Sequence, residues 1–403
     1  MSSIGKRRQP PDERRIATDG PAEPGWGARD ARTLRARLRP VVSPARRVIE
    51  RLSAVWQTAG GRPPLGCVRV YFGFRSLPRP DEIVAGGLVK IAALARAFPN
   101  TPRRWNLLYL VSSRLPPGAV ALARAAKRKG LRVVVNQDGV AYHGWYGRGW
   151  ETVNAPMATL LGLADHVFYQ SRFCRMAADL FLQVQPAAWE ILPNAVDTAA
   201  FSPAAGTERP QDLTLLLAGS QDKSYRVRRA IDALALVARR RPDARLVITG
   251  RLGWADSYEG GRAMALEWAR QIGVADRVRF TGPYSQSQAV ELFRQATILL
   301  HTKYNDPCPA VVVEAMACGV PVVYSATGGV PELVGSEAGV GVGGELSWDR
   351  DLPPDAVDLA EAVLTVAERH QEYGAAARQR AVDRFDLGPW LRRHTEVFGR
   401  LVE

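Results

Sequence analysis

The chain has 403 residues, which at about 150 residues per domain suggests two domains. Lys+Arg total 54 against 40 Asp+Glu, a formal charge of +14, and 46% of residues are hydrophobic, enough for sizeable cores and against wholesale disorder. Cys67, Cys174, Cys308 and Cys318 form no C-x-x-C pair. That excludes a disulfide framework, a thiolate zinc site and a thioredoxin-type couple, and points to reduced thiols in a cytoplasmic protein.

The opening MSSIGKRRQPPDERR lacks an apolar stretch, so no secretory signal is expected, and nowhere do about eighteen apolar residues run together as a spanning helix requires. Residues 1–64 hold fourteen Lys/Arg against six Asp/Glu, a balance of +8 that leaves +6 for the remainder. Met1 to about Asp30 reads as disordered. Over 31–57, Leu34, Leu38, Val41, Val42, Val48, Leu52, Val55 and Trp56 lie among arginines, and Pro40 and Pro44 split the stretch. Its second piece reads as a short basic amphipathic helix, either docked on the protein's own surface or laid on an anionic membrane face. The docked reading is preferred, because one short helix anchors weakly. Nucleic acid is not expected, since no stacking aromatics alternate with the arginines.

From residue 66 strands and helices alternate, as in a parallel sheet covered on both faces. Strands are expected at 67–74, 107–111, 131–135, 166–170 and 189–192, with helices at 88–98, 117–129, 152–163 and 173–181. A Pro/Ala/Gly/charge stretch at 201–212 suits a linker. The pattern restarts with strands at 213–218, 244–249, 278–281, 297–302 and 321–325 and helices at 227–241, 261–272, 287–294 and 310–318. Helices at 356–369 and 389–401 close the chain. Two α/β halves of one architecture follow, with a ligand in the cleft at the carboxyl ends of the strands.

Two short patterns are set aside. Residues 339–344 satisfy G-x-G-x-x-G, but no helix follows to hold a pyrophosphate, so they read as a flexible glycine turn. Asp349-Arg350-Asp351 matches a D-x-D metal pattern, yet its proline-flanked loop reads as surface, remote from any strand end. Neither a P-loop, H-E-x-x-H nor G-x-S-x-G is present.

The informative run is KYNDPCPAVVVEAMACGVPVVYSATGGVPELVG at 303–335. Pro309 stands where a first helical residue belongs, so the amides around Ala310, Val311 and Val312 form an anion site. Asp306 precedes this helix and Glu314 lies roughly 8 Å along it. Glu314 is a carboxylate in an apolar run, and needs partners.

This run resembles the signature of retaining glycosyltransferases of the GT-B fold, family 4. Asp306 and Glu314 hold the spacing of its carboxylate pair, followed by Glu314-Ala315-Met316-Ala317-Cys318-Gly319-Val320-Pro321-Val322-Val323 and Gly328-Gly329-Val330-Pro331-Glu332. Gly86-Gly87, Asp138, Tyr169-Gln170-Ser171 and 192–197 (LPNAVD) recur in family order. The resemblance implies two Rossmann-like doubly wound parallel-sheet domains facing a cleft, at 65–203 and 204–385. A basic arm at 1–64 precedes them, and a helix at 386–403 packs back toward the N-terminal domain.

It also implies roles. Glu314 holds the ribose hydroxyls of a nucleotide-diphosphate sugar and Asp306 contacts the transferred sugar. Pro309, Ala310, Val311, Ser220, Arg228 and Gly282 surround the donor. Gly86, Gly87, Asp138 and His143 line the N-terminal side; for His143 a packed loop position is the open alternative. No metal or cofactor is expected, and the acceptor is a glycan or lipid-linked molecule of cell-surface polysaccharide synthesis. A cytoplasmic location follows, with a peripheral position at the inner membrane face as a further expectation. Three departures stand out: Asp306 is shorter than the usual Glu, Gln137 replaces a histidine, and Gly219-Ser220 lacks the usual phosphate arginine. Lys223, Arg226 and Arg228 are the substitutes available, and Lys223 is nearest the strand end. The alternative is a nucleotide-sugar-binding scaffold of the same fold with little or no transferase activity.

Overall fold

The computed structural model describes residues 50, 53–54, 57–58, 66–79, 82–83, 86–204 and 212–403. The described strands form two all-parallel sheets within one compact unit. The N-terminal sheet comprises β1 (Val70–Tyr71), β2 (Leu107–Val111), β3 (Arg132–Gln137), β4 (His166–Tyr169) and β5 (Trp189–Ile191), side by side in chain order. The C-terminal sheet comprises β6 (Thr214–Leu217), β7 (Arg245–Thr249), β8 (Val278–Gly282), β9 (Ile298–His301), β10 (Val322–Ser325) and β11 (Gly339–Val342). Its order is β11-β10-β9-β6-β7-β8. The chain winds outward from β6 to β8 and returns to the other side of β6 at β9, so the winding reverses between β6 and β9. Loops diverge from such a reversal and open a crevice at the carboxyl ends of the strands.

Apolar runs such as Val133–Val134–Val135 become central strands because helices cover both faces. Alternate residues serve opposite sides. Leu108, Leu110, Val133 and Val135 face helices Ala119–Arg128, Trp150–Leu163 and Arg172–Phe181. Leu107, Tyr109, Val134 and Phe168 face helix Gly86–Ala95 and the last helix, Leu387–Val402, through Trp390, Val397 and Phe398. The end of the chain thus returns to the N-terminal half.

Three sequence expectations need correction. Residues 339–344 are not a flexible turn: Gly339–Val342 is strand β11, in register Val322↔Gly339 to Ser325↔Val342 with β10. A Cβ on Gly339 would lie 1.9 Å from the Val322 carbonyl oxygen, so only glycine lets this edge strand approach. The strand at 67–74 shrinks to Val70–Tyr71. A helix absent from the reading, His370–Phe385, follows Ala356–Glu368 and packs on helix Ala310–Ala317. Its inward face is Gly374, Ala377 and Ala381, small residues that leave little apolar periodicity, with Phe385 at its end.

Of the basic stretch at 31–57, Ser53, Ala54 and Gln57 are helical and described, with Thr58 beyond it. Ala54 is buried in the N-terminal core, Trp105 Nε1 donates to the Gln57 carbonyl at 3.1 Å, and Lys129 Nζ donates to the Thr58 carbonyl at 2.6 Å. These residues dock on the protein itself. Leu34, Val48, Leu52 and Trp56 lie outside the described residues. Among the described residues no helix is long and apolar enough to cross a membrane.

Candidate active site

The reversal between β6 and β9 brings together the loop after Leu217 and the loop after His301. Helix Ala310–Ala317 opens into this crevice with Pro309 as its N-cap, one position earlier than expected. The Val312 amide is already used, donating to the Pro309 carbonyl at 3.2 Å, which leaves the first-turn amides of Ala310 and Val311 as the ones expected to meet an anion.

Glu314 is buried with 6% exposure and accepts one hydrogen bond, from Gln286 Nε2 at 2.7 Å. Burial pushes its carboxyl up to about 7, against the pull of that bond. Gln286 begins helix Gln286–Arg294, so the partner Glu314 required comes from a distant segment.

Asp306 is buried and does not cap the helix. Its Oδ2 lies 3.1 Å from both Lys303 Nζ and His301 Nε2. Burial opposes ionisation, but Lys303, His301 and Arg226 outweigh it and hold the carboxyl well below the usual range. Burial lowers His301, so it donates to Asp306 as the neutral Nε2–H tautomer. Asp306 therefore enters the site with one oxygen committed to the protein.

Lys223 caps helix Ser224–Ala238 and reaches the cleft, its Nζ 3.7 Å from Asp351 Oδ2 and 5.6 Å from the centre of the Trp145 ring. Lys303 Nζ lies 5.1 Å from the same ring. An indole from the N-terminal half thus spans two cations of the C-terminal half. Arg226 is buried, donating through Nη1 to the Ser220 carbonyl at 2.5 Å. Ser220 itself is exposed. Arg228 does not join the site: two residues along a helix is more than half a turn, and it pairs with Asp232 at 3.4 Å beside Trp268. Gly282 ends β8, and its carbonyl accepts from the Gly250 amide at 2.8 Å.

The N-terminal side is more closed than expected. Asp138 is engaged within its own half: it accepts from Ser112 Oγ at 2.6 Å, the Ser113 amide at 2.8 Å and Ser113 Oγ at 2.6 Å, fixing the turn Ser112–Arg114. Gly87 lies against that turn, where a Cβ would come 2.7 Å from Arg114 Cγ, while Gly86 has open space. His143 is exposed, with its Nδ1 3.1 Å from the Asp349 carbonyl oxygen. Lys90, Asn136 and Gln170 form a buried chain below, with Lys90 Nζ donating to Asn136 Oδ1 at 2.8 Å and Gln170 Nε2 to the same oxygen at 2.9 Å.

Several family landmarks clasp the two halves around the 306–309 segment. Ser171 Oγ donates to the Pro307 carbonyl at 2.7 Å and Asn194 Nδ2 to the Cys308 carbonyl at 2.7 Å. Glu332 accepts from the Arg172 and Phe173 amides at 2.9 and 3.0 Å, capping a helix of the other half. Gly329 fits against Pro307, whose carbonyl oxygen would lie 1.9 Å from a Cβ there.

The 345–351 loop is not remote. Trp348 stacks on Phe173 at 5.2 Å and meets Tyr142 and Phe181 edge-on, while its carbonyl accepts from the Gly144 amide at 2.7 Å. Asn305 Nδ2 donates to the Ser347 carbonyl at 3.0 Å, tying the same loop to the donor side. Sequence spacing offered no sign of this bridge, nor of Lys303 or Gln286 as neighbours. Among the described residues no group of three or more His, Cys, Asp or Glu is placed to hold a metal. A hollow of about 570 Å³ lies at the opposite, amino ends of β6, β7 and β8, lined by Asp212, Arg245, Arg277 and Arg279, away from the crevice.

A family model described as glycosyl transferases group 1 matches residues 201–380. The D-inositol 3-phosphate glycosyltransferase of Mycolicibacterium smegmatis is 33% identical over 141 residues, covering 35% of this chain and 30% of that protein. Its namesake from Acidothermus cellulolyticus is 30% identical over 200 residues, covering 45% and 44%. The matches thus span less than half the length of these relatives. Among solved structures, sucrose-phosphate synthase from Thermosynechococcus elongatus superposes with TM-score 0.61 at 17% identity, covering 77% of this chain and 76% of that one. The Anabaena HepE protein in complex with UDP gives TM-score 0.61 at 18% identity, covering 78% and 82%.

Proposed function

We propose that the protein moves a sugar from a nucleotide-diphosphate sugar to an acceptor, with retained anomeric configuration; the match of residues 201–380 to the glycosyl transferases group 1 model and the two-sheet GT-B fold support this. The observation that carries this reading is Glu314, a carboxylate buried in an apolar helix at the winding reversal with a single protein hydrogen bond. A carboxylate so placed has acceptor capacity left for the two hydroxyls of a ribose. The amides of Ala310 and Val311 and the Lys223 ammonium would take the leaving diphosphate, stabilising charge that develops as the glycosidic bond breaks. The leaving phosphate would deprotonate the acceptor on the same face, and no metal is required for that balance of charge.

The acceptor, a glycan or lipid-linked molecule, would lie on the side of Gly86 and the 142–150 loop. Peripheral placement at an anionic membrane rests on the charge of residues 1–64, and deletion of that stretch should abolish vesicle association.

The committed oxygen of Asp306 favours a second reading, a binding scaffold with little transfer. Thermal-shift screening with nucleotide sugars, then donor turnover with and without acceptors, separates the two. Stabilisation with turnover supports the transferase; stabilisation without turnover on any acceptor supports the scaffold; no stabilisation by any nucleotide sugar removes both.

A further inference from the structure

The 345–351 loop ends in a carboxylate that none of the family landmarks includes. Asp351 reaches the crevice because its loop is pinned just before it: Trp348 in the aromatic box of Tyr142, Phe173 and Phe181, and Ser347 by Asn305 and the Tyr304 hydroxyl. Its side chain is 14% exposed. Oδ2 faces Lys223 Nζ at 3.7 Å, longer than a hydrogen bond, and Oδ1 is buried with no partner. Buried polar atoms are almost always paired, so an unpartnered oxygen beside the crevice marks a place for a hydrogen-bond donor. The ligand part that supplies donors at this point is a sugar hydroxyl, since a diphosphate offers only acceptors. Asp306, one methylene shorter than the family's Glu, already spends Oδ2 on His301 and Lys303.

We propose that Asp351 accepts a hydrogen bond from a hydroxyl of the transferred sugar and helps choose which sugar is bound. This rests on the reading of the crevice as a nucleotide-sugar site. Burial, stronger here than the pull of Lys223 and Lys303, raises its carboxyl above the usual range, as expected of an acceptor kept from water.

The test is calorimetry of the full chain with UDP-glucose and with UDP, or with the nucleotide sugar and matching nucleoside diphosphate that a thermal-shift panel selects. Asp351→Asn keeps the shape and removes the charge. It should weaken the nucleotide sugar tenfold or more while the free diphosphate binds unchanged or tighter, Lys223 having lost a competing anion. Equal weakening of both ligands, or no change in either, would overturn the proposal. Asp351→Ala should repeat the selective loss, with its melting temperature checking the fold. Glu314→Gln tests the underlying reading separately: it should weaken both ligands, and if both bind as before the nucleotide-sugar reading fails whatever Asp351 does.

Discussion

The two halves share an architecture and differ in which polar groups they leave open near their strand ends. In the N-terminal half Asp138 is held by Ser112 and Ser113 and Asn136 by Lys90 and Gln170, while Gln137 Oε1 and Tyr169 OH, at the ends of β3 and β4, are buried with no partner. In the C-terminal half Glu314 has one protein partner, while Asp351 Oδ1, Arg226 Nε and Gln221 Oε1 have none. The sheet orders follow the same division: the C-terminal strands reverse their winding at β6 and β9, and the described N-terminal strands run on in chain order. Polar capacity held open in a buried place costs stability unless a ligand completes it. The donor proposed above would complete Glu314 and its open neighbours in the C-terminal half.

The largest effect should come from removing the fit between the halves. Gly329→Ala puts a methyl into the Pro307 carbonyl and against Ser171 Oγ, 1.9 and 2.7 Å away. Forcing that segment apart should cost about 1–3 kcal/mol of stability and displace the 306–309 loop, measured by urea unfolding and by lost nucleotide-sugar binding. Full stability together with full binding would show that the clasp is dispensable.

Glu314→Gln comes next, weakening nucleotide-sugar binding by about 1.5–3 kcal/mol, the worth of hydrogen bonds to a charged group. The same residue sets a pH signature. Its carboxyl titrates near 7 when folded and near 4.5 in the unfolded chain, so between these values the native state holds the extra proton. Its contribution to stability is therefore fully present below about 4.5 and lost as pH rises through about 7, up to about 3 kcal/mol in all. Melting temperature across pH 5–8 should fall more steeply in the parent than in Glu314→Gln. Ribose hydroxyls favour the ionised carboxylate, so donor affinity should rise over the same interval and the variant should lose that dependence. Parallel melting profiles would separate Glu314 from this titration.

What the sequence disclosed follows the same division. Buried parallel strands stand out as apolar runs, and Glu314 stands out because a carboxylate has no business in one. Strand β11 stayed hidden because its approach to Val322 demands glycine, a residue that weakens strand signals. Helix His370–Phe385 stayed hidden because alanine and glycine make its contact face. The carboxylate pair was legible from spacing, whereas Gln286 and Asp351 reach the crevice from segments far apart in the chain. No periodicity connects such residues; only the packed loops do. Arg228 misled for the complementary reason, since nearness in sequence to Lys223 says nothing about helix face.

Lys223 tests whether the open half also does chemistry. Lys223→Ala should lower turnover about tenfold to hundredfold with a smaller loss of donor affinity, because charge on the leaving diphosphate grows toward the transition state. Equal losses in both would make Lys223 a binding group only, and unchanged turnover would pass the role to Lys303, the other cation beside Trp145.

The smallest expected effect is the sharpest check on the geometry. Arg228 lies one residue from Val227, a buried core position, and two from Arg226, yet its guanidinium pairs with Asp232 along an exposed helix face and rests near Trp268. An exposed i,i+4 pair contributes about 0.3–0.5 kcal/mol. Arg228→Ala should therefore leave donor affinity and turnover within twofold of the parent and stability within about 0.5 kcal/mol. A tenfold loss of donor affinity would mean that helix Ser224–Ala238 turns its Arg228 face into the crevice when the donor binds, and the division between a ligand-facing and an outward face of that helix would have to be redrawn.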